Sequence, residues 1–334
     1  MKALSPGDVP KIVGMAYFLP SRRVDNRDLE EDLGVSAAEI QRRTGVHSRR
    51  YAQEGIGPSD LACQAARIAL DEAGLAPRDV EFLIFATMTP DVTFPGSGCY
   101  LQDKLGCGTV GALDLRAQCC GFLFALEVAE QFVRAGKYHR VLVAAAEVHS
   151  SGLDFSPRGA EVTPLFGDGA ATVLVDREGE GLLGSVIHTD ATRFEQFWCE
   201  LPTSRRPPAR FLSADLPLGK HYPHLDAESV RRDGVASIRS AIEEVLSKSG
   251  IRAGQVNRFF AQHVFRDAAF GALDALGVLD RATVGGDQEG HIAAASLPIA
   301  LCQARERGQV KSGDIVCMAT AGAGMNRAAA LVRL

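Results

Sequence analysis

The chain has 334 residues, of which 46% are apolar and 23% charged, with 36 Lys and Arg against 41 Asp and Glu. That length and composition exclude global disorder and predict one large compact unit or two domains, needing no metal or disulfide staple. A net charge of -5 speaks against a general nucleic-acid binder, and no apolar run is long enough to span a membrane. The opening MKALSPGDVPK lacks an apolar stretch and does not read as a signal peptide, so the expected location is the cytoplasm. Cys63, Cys99, Cys107, Cys119, Cys120, Cys199, Cys302 and Cys317 then read as thiols, and none has CxxC spacing.

In chain order, Ser59-Asp60-Leu61 opens a helix that runs to Ala73, with Gly74 as its stop. Phe82 to Ala86 follows as a buried strand. A helix from about Cys119 to Ala135 stops at Gly136, and Val141 to Ala146 reads as the next buried strand. Helix, glycine stop and apolar strand is the alternation of an α/β fold with covered sheets. The unit recurs around Gly250 with Phe259-Phe260-Ala261, and around Gly308 with Ile315-Val316-Cys317. Gly74 and Gly250 lie 176 residues apart, Gly136 and Gly308 172. Two matched pairs at nearly one offset predict an internal duplication, with halves at 1–176 and 177–334.

Residues 196–224 differ from both halves and collect proline, arginine and the only tryptophan, Trp198. They read as an insertion or lid over a site, or as a plain surface loop. His221 and His224 are too isolated to argue for a metal.

Four places carry chemistry. Ala117-Gln118-Cys119-Cys120-Gly121-Phe122 follows a strand-like run and opens a helix. Free N–H groups at a helix start lower a thiol pKa, so Cys119 is expected as an exposed nucleophile, with Cys120 turned inward. His263 leaves the strand Phe259 to Gln262 at its C-terminal end, where α/β sheets place ligands, and Thr87 is its counterpart in the first half. His291, in Glu289 to Ser296, is the counterpart of the Cys119 turn. A duplicated fold brings these turns to one cleft, a nucleophile with two imidazoles. Ala321-Gly322-Ala323-Gly324-Met325 is small enough for close backbone approach, and the N–H of Gly324 pairs with that of Cys119 to hold an oxyanion. No dinucleotide fingerprint is present.

These residues resemble the β-ketoacyl-(acyl carrier protein) synthase III family of thiolase-fold condensing enzymes over nearly the whole chain. The resemblance runs through Arg43-Thr44-Gly45-Val46, Phe94-Pro95, the Cys119 to Phe122 turn, and Arg158-Gly159 ahead of Phe166 to Ala170. It continues through His263, Gly290 to Ser296 and the Ala330 to Arg333 terminus. It implies two duplicated βαβαβαββ halves in a five-layer α-β-α-β-α core, usually a homodimer, with no cofactor beyond a phosphopantetheine or coenzyme A thioester as substrate. It implies that Cys119 accepts the acyl group, that His263 assists decarboxylation of a malonyl thioester, and that Cys119 and Gly324 form the oxyanion hole. Phe94 matches a residue lining the partner subunit's acyl pocket. Arg43 and Arg158 match residues near the mouth of the pantetheine tunnel.

The chain departs from the family pattern at three points. His291 stands where the family has Asn, a Cys-His-His set like that of elongating condensing enzymes, and an imidazole, unlike an amide, also takes a proton. Arg266 stands where an Asn contacts substrate. Glu39 replaces the tryptophan that stacks on the coenzyme A adenine. That loss predicts a carrier-protein donor, met by a basic rim of Arg42, Arg43, Arg49, Arg50, Arg205, Arg206 and Arg266. Three readings follow. The first is decarboxylative condensation, leaning to specialised polyketide- or fatty-acid-like metabolism. The second is acyl transfer through Cys119 to an oxygen, nitrogen or sulfur acceptor without decarboxylation. The third is a non-catalytic partner subunit of a ketosynthase.

Overall fold

A computed structural model describes residues 9–177, 181–205 and 209–334. The first half contains β1 (Lys11–Phe18), β2 (Arg22–Asp25), α1 (Glu30–Leu33), α2 (Ala37–Thr44), β3 (Ser48–Tyr51), α3 (Pro58–Ala73) and β4 (Phe82–Ala86). It continues through α4 (Ser97–Leu105), β5 (Gly111–Leu115), α5 (Gly121–Arg134), β6 (Arg140–Glu147) and β7 (Gly169–Asp176). The second half contains β8 (Leu182–Thr189), β9 (Phe197–Trp198), β10 (His224–Leu225), α6 (Ala227–Ser249) and β11 (Arg258–Gln262). After these come α7 (Arg266–Ala275), β12 (Ala282–Thr283), α8 (Ser296–Glu306), β13 (Ile315–Gly322) and β14 (Asn326–Arg333).

Two five-stranded sheets result, ordered β1-β7-β6-β4-β5 and β8-β14-β13-β11-β12. Position by position the orders are the same, so the repeated helix-glycine-strand units of the sequence become one sheet built twice. Each central pair, β4 with β6 and β11 with β13, is parallel, and the flanking β7 and β14 are antiparallel. Parallel strands need both faces covered, which is why Phe82 to Ala86 and Phe259 to Ala261 are continuously apolar. Helices α5 and α8 supply the middle layer: Phe122, Leu126, Leu297 and Leu301 share one core with Ile84 and Val143 of the first sheet and Val316 and Ala330 of the second. Outside, α3 packs on the first sheet and α6 with α7 on the second. This is the five-layer thiolase-like arrangement.

Local chemistry sets the ends. Gly74 and Gly250 close α3 and α6 in the left-handed conformation, at φ 67° and 69°. The helix expected from about Cys119 starts two residues later: Gln118–Cys120 forms a 3-10 turn and α5 begins at Gly121. Segment 196–224 is an excursion tied at its base, where β9 and β10 pair antiparallel through Trp198 with His224 and Phe197 with Leu225. No helix among the described residues is long and apolar enough to cross a membrane.

The halves are stitched together beside the middle layer. Phe166 pairs in parallel with His291; the His291 amide donates to the Leu165 carbonyl (2.7 Å) and the Gly167 amide to the His291 carbonyl (3.1 Å). Gly167 presses so close to the Glu289 carbonyl that a Cβ there would overlap it. Gly167→Ala is therefore expected to cost about 1–3 kcal/mol of stability through overpacking, read as a lowered urea-unfolding midpoint. An unchanged midpoint would contradict this account of the seam.

Candidate active site

Cys119 occupies the 3-10 turn in front of α5 and is buried, 4% exposed, rather than exposed as its turn position suggested. Its Sγ lies 3.2 Å from Nε2 of His291. The thiol fits only because position 322 has no side chain: a Cβ on Gly322 would come within 2.6 Å of the sulfur. Burial pushes the thiol up to about 12, and the Glu147 carboxylate adds to the rise. The amides of Ala323 and of Cys119 itself donate toward the sulfur and oppose that shift. The expectation of a lowered thiol pKa is thus reversed: desolvation outweighs the N–H groups.

The same contacts correct the oxyanion pair. The amide brought to Cys119 is that of Ala323, one residue before the expected Gly324. Gly324 turns away at φ 131°, where a Cβ would collide with the Asn326 side chain. The Asn326 amide instead ties down the Ala323 carbonyl (2.8 Å) and the Gln118 side chain (3.1 Å), bracing both loops.

His291 follows Gly290 on the stitched segment, and its Nδ1 has no hydrogen-bond partner among the described residues. Burial, followed by the neighbouring His149 and His263, holds its pKa well below the ordinary histidine range. His263 follows β11, as its place in the sequence predicted, and burial lowers it to about 4. Its Nδ1 accepts from the Phe265 amide (3.1 Å) in the tautomer that carries the ring proton on Nε2, and lies 3.2 Å from the Phe265 carbonyl. That Nε2 is buried and unpartnered. It faces α6 at Gly234, where an added Cβ would come within 2.4 Å of it. Glycine there keeps the space in front of the nitrogen open. The constellation is a neutral thiol, two neutral imidazoles with free nitrogens, and backbone N–H groups at the sulfur. It can accept a proton from the thiol and donate hydrogen bonds to a developing oxyanion.

Other candidates are placed less uniformly. Phe94 stands 81% exposed ahead of α4, whose Ser97 and Gly98 amides donate to Asp114 of the exposed edge strand β5. Arg43 lines a surface groove of about 480 Å³ with Arg42, Arg231, Phe265 and Asp267. Arg158 pairs with Asp154 (2.5 Å), donates to the Pro217 carbonyl and lies 5.2 Å from the Tyr222 ring, so it props the 196–224 excursion. Arg266 does not offer its charge to substrate: its guanidinium donates to the carbonyls of Gly45 (2.9 Å), Gly285 and Val284 (both 3.1 Å). Its long side chain reaches across a loop that a shorter Asn could not clamp.

The rim is smaller than expected. Arg49 is fully buried and holds Asn26 (2.7 Å) and the Pro164 carbonyl (2.9 Å), so it is structural. Arg42 and Arg43 both bind Glu39, whose pKa their hydrogen bonds pull down to about 2. Glu39 is therefore part of an ion-pair cluster, not a bare repelling charge. Arg50 donates to the Ser21 carbonyl, Arg205 is exposed, and Arg206 lies outside the described residues.

Sequence reasoning missed Gly234, Glu147 and His149. Glu147 ends β6 and accepts from the amides of Met88 and Thr89 and the hydroxyls of Thr87 and Thr89. The strand-end rule that found His263 would have found Glu147 and His149 after β6. No group of three or more metal-ligating side chains occurs among the described residues.

The models of the 3-oxoacyl-(acyl carrier protein) synthase III family match residues 113–191 and, for its C-terminal part, 246–334. The β-ketoacyl-(acyl carrier protein) synthase III of Caldanaerobacter subterraneus subsp. tengcongensis is 33% identical over 96% of this chain and 97% of its own. Among solved structures, the 3-oxoacyl-(acyl carrier protein) synthase III of Aquifex aeolicus superposes with a TM-score of 0.88 at 31% identity, covering 97% of this chain and all of that one, 100%. The priming β-ketosynthase of the R1128 polyketide biosynthetic pathway superposes with a TM-score of 0.87 at 27% identity, over 98% and 96% of the two chains. With its duplicated sheets and buried cysteine, the chain belongs to the β-ketoacyl-(acyl carrier protein) synthase III family.

Proposed function

We propose that the chain catalyses decarboxylative Claisen condensation through an acyl-Cys119 intermediate. The observation that carries this reading is the 3.2 Å contact between the buried Cys119 thiol and His291, with His263 beside them. The thiol gives its proton to Nε2 of His291 as Sγ attacks the carbonyl carbon of an acyl thioester. The oxyanion forms at the amides of Cys119 and Ala323, then collapses and expels the donor thiolate, which takes the proton back. A malonyl thioester binds next, its carbonyl oxygen toward Nε2 of His263 and the His291 imidazole. Loss of carbon dioxide leaves its electron pair in an enolate held by those donors. The enolate carbon attacks the acyl carbonyl, expelling Cys119 as thiolate, which takes a proton from water by way of the His291 imidazole. The product is a β-ketoacyl thioester.

The donor is an acyl carrier protein in this reading. Arg42, Arg43 and Arg231 around the 480 Å³ groove suit an acidic partner, while Glu39 offers no aromatic face for adenine. The enzyme needs no cofactor beyond the phosphopantetheine arm of its substrates. It works in the cytoplasm as a homodimer, using the exposed β5 edge and Phe94 as the contact face. The priming polyketide ketosynthase among its relatives supports a place in specialised metabolism.

Intact mass after exposure to acyl-carrier proteins and acyl-coenzyme A esters is expected to show an adduct that Cys119→Ala abolishes. Adding malonyl-carrier protein then releases carbon dioxide in proportion to product. Acyl transfer without carbon dioxide would replace condensation with the transferase reading, and no adduct in folded protein would remove both.

The buried titrations predict the pH profile. His263 protonates only near 4, burial holds His291 well below the ordinary histidine range, and Cys119 ionises only near 12. The thiol and imidazoles thus keep one protonation state across neutrality, and single-turnover acylation is expected to be flat from about pH 6 to 9, falling only on strong acidification. In His291→Ala the thiol has lost its base. Acylation should drop about 100-fold or more at neutral pH and rise with pH as thiolate becomes available. Glu39→Trp restores a stacking face and is expected to raise kcat/KM for acyl-coenzyme A roughly tenfold relative to the carrier thioester.

A further inference from the structure

A third imidazole lies beside the two already described. His149 begins the turn after β6, is 6% exposed, and its Nε2 has no hydrogen-bond partner among the described residues. Its ring centroid is 4.5 Å from that of Phe166, which also meets the His291 ring at 5.6 Å. Phe166 therefore touches both imidazoles, and His149 is near enough to His291 that a proton on either ring would oppose one on the other. His291 also touches the Cys119 sulfur (3.2 Å), so only the contacts of two rings lie between His149 and the atom that would carry an acyl chain.

A buried nitrogen with no partner costs stability unless something bound there satisfies it. An apolar side chain would fill the same space against Phe166 with no such cost, so a plain alkyl chain gains nothing from a histidine here. Burial holds the ring neutral, at about 3, so it brings no charge with which to repay desolvation of a carboxylate. A neutral Nε2 is either a donor or an acceptor, according to its tautomer, and a hydroxyl complements both.

Resting on the condensing reading, we infer that His149 is a specificity-determining residue whose buried Nε2 recognises a hydroxyl group on the acyl chain loaded onto Cys119. The substrate class is then a hydroxyacyl thioester, and the reaction that supplies it is one that leaves a hydroxyl on a short acyl chain, such as reduction of an oxoacyl thioester.

The test compares single-turnover acylation of Cys119, by intact mass, with hexanoyl-, 3-hydroxyhexanoyl- and 5-hydroxyhexanoyl-carrier protein. Wild type is expected to take at least one hydroxyacyl donor about tenfold faster than hexanoyl. His149→Phe keeps a ring against Phe166 but removes both nitrogens, and the ratio should fall to one or below. His149→Leu repeats the test if the phenyl variant does not unfold cooperatively. A merely structural histidine would change all donors alike and leave the ratio standing. Equal rates in wild type, or a ratio that survives both variants, would overturn the inference while leaving condensation intact. Failure of every donor to acylate wild type would instead overturn the condensing reading, and this inference with it.

Discussion

The site depends on a short piece of backbone pairing. The parallel bridge between Phe166 and His291, with hydrogen bonds of 2.7 and 3.1 Å, fastens the C-terminal half to the N-terminal half next to the reactive thiol. Cys119 comes from one half and His291 from the other, 172 residues away. Side chains alone would not hold a sulfur and a ring nitrogen in line across such a seam, since each has its own rotamers to lose. The bridge fixes the His291 backbone, and the close fit of Gly167 on the Glu289 carbonyl leaves no slack for it to slide. The geometry of the thiol and its base is thus inherited from the packing of two sheets.

Burial gives that geometry its electrical character. A cysteine at a helix start might be read as a preformed thiolate paired with imidazolium, but both charges would have to survive full desolvation. Here burial lifts the thiol to about 12 and lowers His263 to about 4, so the resting thiol and imidazole are uncharged. In the proposed reaction, charge then arises only as a thioester carbonyl becomes an oxyanion beside the sulfur, where the amides of Cys119 and Ala323 lie. Donors that meet charge when it forms, and not before, are the ones that lower a barrier instead of a ground state.

Much of this was legible in the sequence because it rests on periodicity. Glycine stops and apolar strands repeat at one offset, and a residue leaving a strand falls at a cleft whichever half it belongs to. Position along the chain therefore brought Cys119, His263 and His291 together. What it could not give was the direction of long side chains and the last residue of register. Arg266 and Arg49 read as free charges, yet each spends its donors on carbonyls of neighbouring loops, a choice made by tertiary contacts. Ala323 and Gly324 are equally small, and only the turn of the backbone shows whose N–H meets the sulfur. Gly234 carried no signal at all, since its meaning lies in the ring it does not touch.

The duplication also explains how one site came to hold unlike parts. The last residues of β6 and β13, Glu147 and Gly322, occupy equivalent positions, as do Thr87 and His263 after β4 and β11. In the first half, Glu147 and Thr87 bind each other and the 88–89 amides, a closed knot of hydrogen bonds with no capacity to spare. In the second half the same two positions carry a residue with no side chain and a histidine with a free nitrogen. The first arrangement is a strut. The second is its negative, space for the Cys119 thiol and a donor facing it. A single-copy fold closing on itself would have to satisfy both demands with one set of residues. Two copies let rigidity be placed on one side of the pseudo-twofold and reactivity on the other, which is why the carboxylate that stiffens the site and the imidazoles that work in it do not compete for the same partners.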